Sequence, residues 1–149
     1  SLGQNFTALV DYAHSPDAVV NVLQTVREFT SGKVIAVLGC GGDRDASKRP
    51  LMGSALASKS DIAIYTSDNP RSEDPSDILK EMVGSTSVNQ PSAIIVDRTE
   101  AIAYAVTQAK AGDTVIVLGK GHESGQEVAG VVTPFDDRIQ LAEAIEAKK

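Results

Sequence analysis

The 149-residue chain has no tryptophan, an aromatic content of 4% and one cysteine, Cys40. With so few aromatics the core must rest on Val, Ile, Leu and Ala. That favours a parallel sheet flanked by helices over an aromatic-rich binding face. A single cysteine excludes an internal disulfide and fits a reducing compartment, so a cytoplasmic location is expected. Lys and Arg form no run beyond the terminal Lys148-Lys149, and the formal net charge is −6. A nucleic-acid partner is therefore not expected, and an anionic ligand would need locally placed arginines. No signal-peptide pattern or long apolar stretch is visible, so no membrane partner is expected either. The opening SLGQNFTALVDYAH has no initiator Met, and the chain is expected to be a piece of a longer one.

Hydrophobic residues make up 42% and charged residues 23% of the chain, an ordinary globular composition. No linker, repeat or low-complexity segment divides it, so residues 1–149 read as one domain. Apolar runs alternate with helical patterns. Strands are expected at 6–13, 33–39, 61–67, 92–97 and 113–121, with a short edge strand or hairpin at 127–135. Helices are expected at 15–29, 48–59, 75–84, 98–110 and 136–149. Ser15 before Pro16 is an N-cap followed by Pro at the first helical position, and Gly84 ends the third helix. The alternation predicts an α/β fold, a Rossmann-like, mostly parallel sheet of about six strands with helices on both faces.

Ligands of such sheets bind beyond the carboxyl ends of the strands. Four polar stretches fall there: DYAHSPD, GCGGDRD, SDNPRSED and GKGHESG. Gly39, Gly41 and Gly42 permit close backbone approach to a ligand. The spacing is neither that of a phosphate loop nor that of a dinucleotide fingerprint, so this turn should not cradle a triphosphate by itself. Asp43 is suited to ribose hydroxyls, and Arg44 and Arg49 to carboxylate or phosphate oxygens. For Asp11 and His14 two readings stand side by side: a ligand role, or Asp11 capping its turn with His14 packed on it. Gly119 and Glu123 leave the fifth strand in what is either a ligand-facing turn or a solvated glycine turn. No zinc spacing occurs, and no metal site is expected in the chain. Two carboxylates, Asp68 and Glu123, and two arginines, Arg44 and Arg71, can thus converge over one sheet edge. That set suits a ligand with both an ammonium and a carboxylate. No nucleophile–base pair emerges, so the expected role is to position reactants, with no catalytic residue in this domain.

The stretches VDYAHSPD, GCGGDRDASKRPLMG, TSDNPRSEDP and GKGHE, followed by FDDR at 135–138, resemble in order and spacing the carboxy-terminal domain of the Mur ligases, over essentially the whole chain. The resemblance implies a three-domain enzyme. An amino-terminal domain binds the uridine nucleotide. A central domain carries the ATP phosphate loop, the magnesium ligands and a carbamylated lysine. The third domain brings the site for the incoming amino acid and part of the nucleotide site. The implied reaction activates a carboxylate of UDP-muramoyl dipeptide as an acyl phosphate, which the incoming amine attacks. ATP and Mg2+ are then the cofactors, with the Mg2+ ligands mainly in the central domain, and the isolated chain should be inactive.

The Asp68-Asn69-Pro70-Arg71 motif is that of family members that add meso-diaminopimelate to the peptidoglycan stem peptide. By the same resemblance Arg44, Asn69, Arg71, Gly119 and Glu123 contact diaminopimelate, while Asp11, His14 and Asp43 lie toward ATP. The chemistry agrees, because diaminopimelate differs from lysine by a distal carboxylate. An arginine reads that group bidentately, and Pro70 fixes φ so that Arg71 is presented rigidly. A lysine-adding member of the family and a non-catalytic nucleotide- or amino-acid-binding module are the alternatives.

Overall fold

Three of the helices begin where the sequence supplies a side-chain cap. The computed structural model describes residues 5–13, 15–40, 46–68, 73–119, 125–128, 131–134 and 136–148. After β1 (Thr7–Asp11), the Ser15 hydroxyl accepts the Ala18 N–H and opens α1 (Pro16–Phe29). β2 (Val34–Cys40) is followed by a 3-10 turn (Ala46–Lys48) and α2 (Arg49–Lys59). β3 (Ile62–Ser67) precedes α3 (Pro75–Val83), which Asp74 caps through the Ser76 N–H and Gly84 ends at φ 55°. β4 (Ala93–Ile94) precedes α4 (Arg98–Gln108), capped by Asp97. β5 (Thr114–Leu118), β6 (Gly125–Val128), β7 (Val131–Pro134) and α5 (Asp137–Lys148) complete the order.

β1 to β5 form one parallel sheet in the order β1-β5-β2-β3-β4. The expected α/β architecture is present. The main sheet has five strands, and β6 and β7 pair antiparallel as a separate hairpin. The stretch expected as an edge strand or hairpin is thus a hairpin that begins two residues earlier.

The strand expected over 92–97 shortens to Ala93–Ile94. β4 lies at the sheet edge, with Ile94 and Val96 exposed. Beyond Ile94, the Ile95 N–H donates to the Tyr65 carbonyl at 2.9 Å, and the hydroxyls of Thr66 and Ser67 donate to the Val96 carbonyl at 3.2 and 2.9 Å.

Alternate residues of the central strands face opposite layers, as a period of two requires. Val34, Ala36 and Leu38 pack with Leu23, Leu56 and Met82 of α1, α2 and α3. Ile35 and Val37 pack with Ile102 and Val106 of α4 and Leu141 and Ile145 of α5. Both faces of β2 are therefore covered, and all seven of its residues are buried.

This layering positions a site. β1 and β2 are each followed by a helix of the first layer. β5 lies between them in the sheet, and the chain that leaves it ends in α5 of the second layer. A reversal of this kind opens a crevice at the carboxyl ends of the strands. At the amino ends, by contrast, carboxylates close the structure. Asp113 accepts the N–H groups of Lys33 and Lys110 at 2.8 and 2.9 Å, and Asp61 accepts that of Val34 at 2.8 Å and pairs with Arg27.

Candidate functional site

Register brings the strand ends that lead into the polar stretches to a common edge. Cys40 of β2 lies opposite Ser67 of β3, Leu38 opposite Leu118 of β5, and Asp11 of β1 opposite Leu118. All four strands run out together there.

Asp68, the first residue after β3, is 8% exposed. Two glycines let neighbouring backbones close around it. A Cβ on Gly39 would lie 2.6 Å from Ser67 C and 2.7 Å from Asp68 N. Gly119 has φ 102°, and a Cβ there would lie 3.1 Å from the Gly39 carbonyl oxygen and 3.7 Å from Asp68 Oδ2. The Gly119 N–H donates to the Asp11 carbonyl at 3.1 Å, which ties the end of β1 to the same edge. Gly39, Asp68 and Gly119 are thus brought together. Asp11 Oδ1 accepts the Ala13 N–H at 2.8 Å, so its turn-capping role is real. A carboxylate offers about four acceptor positions, and one turn hydrogen bond leaves capacity for a ligand.

Burial pushes the Cys40 thiol up to about 12. The Arg49 cation pulls against that shift, and the Asp68 carboxylate adds to it. Cys40 is buried, as expected of a small apolar residue at a strand end.

Two buried arginines, one of them missed by the sequence reasoning, organise this edge. Arg98, 1% exposed, is the first residue of α4 and pairs with Asp137, 0% exposed, the first residue of α5. Its Nε and Nη2 donate to Asp137 Oδ1 and Oδ2 at 2.7 and 2.6 Å, while Nη1 and Nη2 donate to the carbonyls of Ser67 and Leu118, each at 3.0 Å. A signal was available in the sequence: a cation at the start of a helix opposes the macrodipole and needs a carboxylate partner.

Arg49, read above as a candidate ligand for carboxylate or phosphate, is instead engaged inside the protein. It opens α2, is 2% exposed, and holds both oxygens of Glu73 at 3.0 and 2.7 Å together with Glu81 of α3. The same dipole argument explains why it takes two carboxylates.

His14, Asp43, Arg44, Asn69, Pro70, Arg71 and Glu123 lie outside the described residues. Among the described residues, no three His, Cys, Asp or Glu side chains gather where they could hold a metal ion. No described helix is long and apolar enough to cross a membrane.

The chain as a whole has counterparts in known proteins. The family described as Mur ligase, glutamate ligase domain, matches residues 1–121. A UDP-N-acetylmuramoyl-L-alanyl-D-glutamate–2,6-diaminopimelate ligase from Streptomyces coelicolor is 57% identical over 148 residues, covering 96% of this chain and 29% of that protein. The ligase of the same name from Geobacillus thermodenitrificans is 50% identical over 148 residues, covering 99% of this chain and 30% of its own length. A solved structure of a ligase of that name matches with a TM-score of 0.92 and 45% identity, covering 97% of this chain and 30% of the other. The chain therefore spans about 30% of the length of the curated relatives it matches. The family match, the identities and the structural likeness across nearly its whole length agree: the chain belongs to the Mur ligase family, as its glutamate ligase domain.

Proposed function

We propose that the chain is the amino-acid-accepting domain of an ATP-dependent ligase that joins meso-diaminopimelate to UDP-N-acetylmuramoyl-L-alanyl-D-glutamate in peptidoglycan synthesis. The observation that carries this reading is the buried Asp68 carboxylate, which opens the Asp-Asn-Pro-Arg motif and lies close against Gly39 and Gly119 at the carboxyl edge of the sheet. The names of relatives that are 50% and 57% identical support the same activity. The share of those relatives that lies outside the chain is assigned the uridine-nucleotide site, the phosphate loop and the magnesium ligands.

ATP, when bound, supplies the phosphoryl group that activates the acceptor carboxylate. Asp11 fits its nucleoside end, since a carboxylate accepts hydrogen bonds from ribose hydroxyls; His14 and Asp43 are assigned the same neighbourhood. The chain's own contribution is to bind and orient the incoming amine. Asp68, with Glu123, attracts the ammonium groups. Arg44 and Arg71 hold the carboxylates, with Asn69 and Gly119 beside them. Burial strengthens such contacts by excluding water. Holding the amine near the activated carbonyl turns an encounter between two molecules into a local step.

The test is amino-acid-dependent phosphate release by the full-length protein, with meso-diaminopimelate and lysine compared. Release stimulated by diaminopimelate and weakly by lysine is expected. Equal use of lysine would overturn the specificity, and no stimulation by any amino acid would overturn the activity.

A further inference from the structure

We infer that Arg98 and Asp137 form a positioning pair that sets the geometry of the amino-acid site without touching substrate. The inference rests on the reading above that Asp68 and Gly119 line that site.

Each of the two carbonyls that Arg98 holds belongs to the residue immediately before a candidate site residue. Ser67 precedes Asp68, and Leu118 precedes Gly119. β3 and β5 are not neighbours, because β2 lies between them. No ladder hydrogen bond links their ends directly, and the guanidinium bridges them 3.0 Å from each carbonyl oxygen. The planar fork suits this task. Two nitrogens face Asp137, and the N–H groups that remain reach two backbones in fixed directions.

Asp137 in turn fixes the fork. Its two oxygens take Nε and Nη2 side-on, and as the first residue of α5 it anchors that helix to the sheet edge. Stability alone does not account for such a pair. A buried ion pair replaced by apolar groups of similar volume is often neutral or more stable. The precision required at the edge does account for it. The Gly119 Cα carries no side chain at a point where a Cβ would stand 3.7 Å from Asp68 Oδ2. A small drift of β5 relative to β3 therefore changes the space in which an ammonium would meet Asp68.

The experiment is steady-state kinetics of the full-length ligase with each substrate varied in turn, alongside thermal unfolding. The variants are Arg98→Lys, the double replacement Arg98→Met with Asp137→Leu, and Asp68→Asn. In the double variant KM for the amino acid should rise about 10- to 100-fold, as misplacement from outside the reacting groups does, while KM for ATP stays within about twofold. Arg98→Lys can pair with Asp137 but cannot hold both carbonyls, so it should give an intermediate rise. It carries the test if the double variant does not fold. Folded Arg98 variants with an unchanged KM for the amino acid, or with equal losses for all substrates, would overturn the inference. Asp68→Asn separates the two readings. If it leaves KM for the amino acid unchanged, the site reading fails. If it raises that KM while the Arg98 variants do not, only the positioning role fails.

Discussion

Arg49 grips Glu73 with both terminal nitrogens, Nη1 to Oε1 at 3.0 Å and Nη2 to Oε2 at 2.7 Å. Glu73 lies two residues beyond Arg71 in the sequence, and the clamp fixes the residue that leads into α3 to the first turn of α2. Arg49→Ala removes a buried, charge-assisted fork and should cost about 2 kcal/mol. Glu73→Gln should cost under about 1 kcal/mol, because the Glu73 side chain is 34% exposed and solvent screens the pair. Urea unfolding of the 149-residue chain measures both. Equal and negligible losses would show that the clamp contributes nothing to the fold.

Gly119 tests the closeness of packing at this edge. Its φ of 102° is unfavourable for any side chain, and the Cβ of alanine would press on the Gly39 carbonyl at 3.1 Å. Gly119→Ala should destabilise the chain by about 1–3 kcal/mol. In the full-length ligase it should also raise KM for the amino acid, since the new methyl faces Asp68 Oδ2 at 3.7 Å. Thermal unfolding together with kinetics checks this. Wild-type behaviour in both would mean that the edge yields without consequence.

The elements of this fold were legible because both signals that define them are local. The continuous apolar run of β2 and the helical spacing of Val19, Val22, Leu23 and Val26 in α1 need no knowledge of tertiary structure. Capping by Ser15 and termination at Gly84 are likewise read from neighbouring residues. Legibility ended where a residue's role depends on a distant partner. Arg49 has the same side chain as Arg44, and the sequence did not reveal that Glu73 and Glu81 would claim it. Arg98 and Asp137 are 39 positions apart and meet only because α4 and α5 share a layer. β4 was overestimated because Ile95 and Val96 continue its apolar run, whereas in the fold the Val96 carbonyl meets side-chain hydroxyls of β3.

Cys40 gives a prediction in pH. Burial raises its pKa from the ordinary 9.0 to about 12, so the folded protein keeps the thiol protonated where the unfolded chain begins to ionise. Between those values the native state binds more protons than the unfolded state, and stability must fall as pH rises. This contribution is fully present below pH 9 and is lost as pH rises toward 12. Cys40→Ala should flatten that decline. At pH 8 the native thiol should resist disulfide reagents that label it readily in urea. Labelling at equal rates with and without urea would contradict the burial on which the shift depends.

Arg71 is the residue on which substrate choice is proposed to turn. A guanidinium paired bidentately with the distal carboxylate of diaminopimelate would distinguish it from lysine, which has no such group. Arg71→Ala in the full-length protein would then leave that carboxylate desolvated and without its partner, a loss of ~2–5 kcal/mol. In affinity this is roughly tenfold to a few thousandfold. Arg71→Lys should recover only part, because a point charge cannot reproduce the fork. The loss should fall on the amino acid, with KM for ATP and for the nucleotide precursor nearly unchanged. A solvated turn arginine would behave otherwise, with substitution changing stability by less than about 0.5 kcal/mol and kinetics not at all. Kinetics with each substrate varied in turn decide between the two, and undiminished use of diaminopimelate by Arg71→Ala would remove Arg71 from the site.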